Sequence, residues 1–103
     1  MIEFNKLVRD KIPAIIEANG EKAQYRILKD DDEYLAALLQ KDVEEGHELA
    51  ADLNLDELAD KLAVLYAIAK LRGITPEQIE QARIEKEIRR GGFENRIFLE
   101  STN

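Results

Sequence analysis

The segment from Leu55 to Arg72 constrains this chain most. Apolar residues cover most of its circumference, and after Asp56 in the first turn only Glu57, Asp60, Lys61, Lys70 and Arg72 interrupt them. A helix that is greasy on nearly every side sits at the centre of a fold or presses into a partner subunit. The chain has 103 residues, which suits one domain spanning 1–103 with a modest core, so partner subunits bear on its stability.

Local signals place further helices around that segment. Asp10 is positioned to cap a short helix over about Lys11–Asn19, with Pro13 in the tolerated first turn and Gly20 at its end. Asp30 is positioned to cap a long helix running to about Asp52, with Glu33 at the reciprocal capping-box position. Its expected apolar face comprises Leu35, Leu39, Val43, Gly46, Ala50 and Leu53. Asn54 reads as the cap of the greasy helix, and Gly73 as its stop. Thr75-Pro76-Glu77-Gln78 is a strong start for a last helix, which Gly91-Gly92 stops near Arg90. Ala23–Leu28 and Asn95–Leu99 have weak strand character and are natural partners. The expected fold is therefore all-α, a mainly helical bundle, with room for one very small two-stranded sheet.

Composition excludes several functional classes. With no cysteines there is no disulfide framework, thiolate nucleophile or thiolate metal site. The net charge of −7 argues against binding a nucleic-acid polymer, though it leaves small anions accessible through a divalent cation. Leu62–Ala69, the longest strongly apolar stretch, is too short to span a bilayer, and "MIEFNKLVRDKIP" places charges where a signal peptide needs an apolar run. The expected location is cytoplasmic, with no membrane partner. The single histidine, His47, makes a di-iron bundle site or a Ser-His-Asp triad a weak idea and reads as a surface residue.

The acids in "EEGHELAADLNLDELAD" carry the strongest chemical signal. Residues three or four apart share a helix face, so Glu44 and Glu45 each neighbour Glu48, and Glu57 neighbours Asp60. The short turn between the two helices sets them antiparallel, with Glu48 and Asp60 at similar heights. Helix axes about 8–10 Å apart let facing carboxylates meet through an ion. Glu44 points almost directly away from the core face, while Glu45 stands at its margin and Glu48 further round. Glu45 and Glu48 are therefore the favoured inner ligands on this helix. Four facing carboxylates repel one another, and a hard divalent cation resolves that conflict. Mg²⁺ suits an all-oxygen donor set, with Mn²⁺ as a substitute. The same acids at the same spacing also make an ordinary solvated face, and Glu57 has a second role as a capping-box residue. Asp42, near the apolar face, can reach solvent, meet a basic residue or join the site.

Three stretches together give a resemblance. "NKLVRDKIPAII" at Asn5–Ile16, "RRGGFENRIFL" at Arg89–Leu99 and, between them, Glu44-Glu45-x-x-Glu48 followed by Glu57-x-x-Asp60 resemble the MazG-like all-α nucleoside triphosphate pyrophosphohydrolases over nearly the whole length. The resemblance implies cleavage of a nucleoside triphosphate, or a related nucleotide such as phosphoribosyl-ATP, to a monophosphate and pyrophosphate, as in house-cleaning enzymes that remove unwanted nucleotides. It implies Mg²⁺ held by Glu45, Glu48, Glu57 and Asp60, with an attacking water oriented by Glu44 or Glu45. Lys6, Arg9, Lys11, Lys86 and Arg90 become candidates to neutralise phosphate, and the chain is expected to work as a homodimer or dimer-based tetramer. The sequence departs from the pattern in its short interval of eight residues between Glu48 and Glu57, and in Gly46, His47, Asp42 and Lys61. Those departures motivate the alternative of a non-catalytic helical oligomer that binds a nucleotide or a protein.

Overall fold

The computed structural model describes residues 2–103 and is all-helical, with four helices in order: α1 Ile12–Ala18, α2 Asp31–Ala51, α3 Leu55–Leu71 and α4 Pro76–Arg90. Local chemistry accounts for most of the boundaries. The Asp30 side chain accepts from Asp32 N at 3.1 Å to open α2. Asn54, in an extended conformation, accepts from Glu57 N at 2.9 Å to open α3. At α4 the capping box is complete: Gln78 N donates to Thr75 Oγ1 at 3.1 Å, and Thr75 N donates to Gln78 Oε1 at 2.9 Å. Gly73 closes α3 at φ +75°, a left-handed conformation that favours glycine, and the Ile74 N–H reaches back to the Ala69 carbonyl at 2.9 Å.

Two expected caps differ. Lys11, not Asp10, occupies the N-cap of α1, and no side chain caps that helix. Glu33 does not close a box at α2; it is held instead by the Arg26 guanidinium, a stronger charged partner than a backbone amide. The two-stranded sheet is also absent among the described residues. Ala23–Leu28 and Asn95–Leu99 have no regular structure, and Tyr25, Ile27, Ile97, Phe98 and Leu99 are exposed.

The organising unit is the hairpin of α2 and α3, which supplies the principal helix–helix packing. Only Leu38, Ala69 and Glu45 are buried among the described residues. The inward stripe of α2 therefore runs through Leu38 and Glu45 rather than through Leu39 and Val43, which stand 50% and 57% exposed. The reason lies in α2 itself: leucine and valine occur on more than one of its faces, so periodicity alone does not choose which face meets α3.

The molecule is extended, measuring 58 × 31 × 27 Å with a radius of gyration of 17.9 Å. A compact domain of this length has a radius near ~13 Å. Its accessible surface is 9534 Å², whereas a compact monomer of its mass exposes about 5,900 Å². Large apolar side chains contribute to the surplus, including Leu58, Leu62, Leu65 and Tyr66 on α3, each more than a third exposed. The nearly all-apolar helix thus buries one side against α2 and leaves another open.

Because Asn54 alone caps α3, Asn54→Ala should destabilise the hairpin by about 1 kcal/mol. Thermal unfolding followed by far-ultraviolet circular dichroism should register this as a fall in Tm of roughly 4–8 °C.

Candidate metal centre

The hairpin brings together acids that are distant in sequence. Carboxylate oxygens of Glu45 on α2 and of Glu57 and Asp60 on α3 lie within 4.8 Å of one another. Asp60 follows Glu57 by three residues, so the two share a face of α3, and Glu45 is the α2 side chain aimed at that face. Glu45 is only 5% exposed. One of its oxygens, Oε1, has Lys41 Nζ at 3.4 Å; its other oxygen, Oε2, and Oε2 of Glu57 are both buried without a hydrogen-bond partner. Two orphaned carboxylate oxygens in one place are costly, because a buried acceptor loses its water without replacement.

The electrostatics follow from this crowding. Burial is the main cause that pushes the Glu45 carboxyl above its ordinary value; the Glu48 charge adds to it, and Lys41 opposes it. Glu57 is also raised, first by loss of water and then by the neighbouring Asp60 and Glu45 charges. Glu44 behaves oppositely. It accepts from Lys6 Nζ at 2.8 Å and from Lys41 Nζ at 3.4 Å, and the Lys6 hydrogen bond holds it below the usual carboxylate range.

The donor set fits a hard divalent cation. All three donors are oxygens, and ligands on opposite sides of an ion with bonds of 2.0–2.6 Å are about 4–5 Å apart. A cation there would satisfy the two oxygens that the protein leaves without partners.

The other expected site residues are distributed as follows. Glu48 is exposed beside Glu45 and stands outside the three-carboxylate cluster. It lies three residues further along α2, about 60° round the helix from Glu45, which is enough to set it at the solvent edge beside that residue. Lys6 and Arg9, on the arm before α1, both reach the acids: Lys6 holds Glu44, and Arg9 Nη2 donates to Asp60 Oδ1 at 2.6 Å. Lys11 is exposed at the start of α1, and Lys86 and Arg90 are exposed on α4. Among the described residues, none of these three forms a salt bridge to the acidic cluster. Arg90 lines a shallow pocket with Gly91, Gly92, Phe93 and Arg96.

Lys61 and Asp42 settle each other. Lys61 Nζ donates to Asp42 Oδ1 at 2.7 Å and to the Asp42 carbonyl at 3.0 Å, so its charge is tied one residue past Asp60 and directed to α2. Gly46 is part of that arrangement: a Cβ there would stand 3.5 Å from the Lys61 ammonium. The exposed His47 plays no part in it. Sequence spacing finds the acids but not their cations, since Lys6–Glu44, Arg9–Asp60 and Asp42–Lys61 each join different parts of the chain. The charge asymmetry between the basic N-terminal arm and the acidic middle was the available signal.

A carboxyl raised on folding binds its proton more tightly in the folded chain, so its contribution to stability is lost as pH rises from the unfolded pKa through the folded one. Glu45 in its charged form is thus a burden on the ion-free hairpin at neutral pH. Glu45→Gln should raise the Tm of the ion-free protein at pH 7. The gain should shrink toward zero below about pH 4, where the carboxyl is protonated in both states, as followed by thermal melts across pH in the presence of a chelator.

No protein-family model matches the chain, and neither does any curated protein or solved structure.

Proposed function

We propose that the chain is a nucleotide pyrophosphohydrolase dependent on a hard divalent cation, Mg²⁺ or Mn²⁺, that cleaves a nucleoside triphosphate or related nucleotide to monophosphate and pyrophosphate. The observation that carries this reading is the buried Glu45, with one oxygen unpartnered, meeting Glu57 and Asp60 near the turn of the hairpin. The resemblance of the acidic spacing and of both chain ends to the MazG-like enzymes supplies the reaction class.

In this reading Glu45, Glu57 and Asp60 hold the cation, and Glu48 completes the acidic rim from solvent. A bound cation of this kind offsets charge on phosphate oxygens and acidifies a bound water. Of the two acids considered for orienting a water, burial raises Glu45 above its ordinary value. Glu44 is the weaker acceptor for as long as Lys6 holds it. Lys6 and Arg9 bring positive charge to the same rim, where phosphate would lie.

The functional unit in this reading is a homo-oligomer. The surplus of about 3,600 Å² per chain over a compact monomer exceeds the roughly 1,000–2,500 Å² per partner that obligate interfaces commonly remove, so it leaves ample surface for a second copy to cover. The open apolar side of α3 and the Leu39–Val43 stripe of α2 support a second copy as its cover.

A second reading, a non-catalytic oligomer of the same fold, draws on a different observation. Arg9 and Lys6 already sit on Asp60 and Glu44. In that case the acids serve as internal counter-ions to the N-terminal arm.

Pyrophosphate release from a panel of nucleotides with Mg²⁺ separates the two. The enzyme reading expects release from at least one nucleotide and its loss in Asp60→Asn, with helix content unchanged by circular dichroism. Release undiminished in that variant would misplace the site, and no release together with no cation-dependent nucleotide binding would leave the second reading. Light scattering on the eluting protein should give at least twice the 11.8 kDa chain mass.

A further inference from the structure

The arm that precedes α1 places a cation on the very carboxylate that the metal reading requires. Arg9 Nη2 lies 2.6 Å from Asp60 Oδ1, and Asp60 is one of the three acids whose oxygens converge. Lys6 holds Glu44, which is outside that triad, and Lys41 stands 3.4 Å from both Glu44 and Glu45 on its own helix, so Arg9 is the cation that the arm itself brings to the triad. A divalent ion and Arg9 therefore compete for one side chain.

The terms of that competition can be compared. The Arg9 side chain is 63% exposed and Asp60 36%, so water screens their attraction and the pair is weak. Arg9 uses a single donor on Asp60, short of the two-pronged grip a guanidinium can make on a carboxylate. It also leaves Glu45 Oε2 and Glu57 Oε2 without partners. A divalent ion carries twice the charge and can satisfy all three acids together. The buried, unpartnered oxygen of Glu45 marks where that ion belongs.

We infer that Arg9 is the resident counter-ion of Asp60, that it exchanges with the divalent cation, and that the displaced guanidinium then serves phosphate held at the same rim. The inference rests on the metal reading above and adds the role of the arm. Arg9 then has two opposite effects: it weakens binding of a bare cation, and it strengthens binding of a cation that carries pyrophosphate. The tether is short, because Lys6 remains anchored to Glu44 three residues earlier and Ile12 opens α1 three residues later. The freed side chain stays within its own length of the acids.

The test compares the 103-residue chain with Arg9→Gln and Lys22→Gln. Lys22 provides the same loss of charge from an exposed position between α1 and α2, with no part in the acidic cluster. Mn²⁺ binding is read by electron paramagnetic resonance. Arg9→Gln should tighten Mn²⁺ about two- to fivefold, the range a weak exposed ion pair allows, and should weaken binding of Mg²⁺–pyrophosphate. Lys22→Gln should change both far less. In the unmodified chain, saturating Mg²⁺ should shift the Arg9 guanidinium resonances in ¹⁵N-resolved spectra, and Asp60→Asn should abolish the shift. Equal effects in the two variants would reduce Arg9 to bulk charge and overturn the exchange, as would Mn²⁺ binding that leaves the Arg9 resonances unmoved. Failure of Mn²⁺ to bind the unmodified chain and both variants would overturn the metal reading itself, and the exchange with it.

Discussion

A carboxylate buried between two helices is the constraint on which the hairpin turns. Leu38 and Ala69 supply the fully apolar burial available to α2 and α3, and Glu45 occupies the same interface. Packing the helices closely enough to bury those residues also desolvates Glu45 and brings it against Glu57 and Asp60. The fold and the candidate site are therefore one contact. Whatever neutralises the acids also strengthens the packing, and whatever leaves them bare loosens it.

The surrounding cations show how the chain distributes that strain. Lys41, one turn before Glu45 on α2, stands 3.4 Å from both Glu44 and Glu45. Lys61 follows Asp60 directly, where a free ammonium would crowd any cation, yet Asp42 draws it away through two hydrogen bonds. Asp42 and Lys61 form a coherent pair in this structure: the acid supplies the partner, and the lysine is drawn away from the triad. Residues that depart from the expected acidic pattern thus keep the cluster clear of competing charge from α3.

How much of this was legible in the sequence depended on the range of the interaction. Asn54, Thr75, Pro76 and Gln78 act on backbone a few residues away, and they delimit α3 and α4 as their spacing predicts. The all-helical class follows from the same local signals. The inward face of α2 was not legible, because Leu35, Leu38, Leu39 and Val43 leave more than one direction apolar and only the packing on α3 selects among them. The two-stranded sheet was an expectation about pairing between distant segments, and weak strand character at Ala23–Leu28 does not dictate a partner. At the site, helical spacing identified Glu45, Glu57 and Asp60 as acids that can share a face. It did not identify Arg9 as the group resting on Asp60, since all of α1 and α2 lie between them in sequence. It also did not show Glu48 turned outward, which depends on the rotation of α2 about its own axis.

The last helix behaves differently from the hairpin. Its side chains are nearly all exposed, and its order comes from within: a complete capping box, proline in the first turn, and Arg83 clasped between Glu80 at 2.6 Å and Glu87 at 2.7 Å. Those ion pairs sit in water and are screened by salt, whereas the burial that joins α2 to α3 is not. The hairpin and the last helix are therefore held by forces that respond differently to salt. Raising ionic strength should fray the helix beyond Gly73 first, while the part that carries the acids keeps its shape.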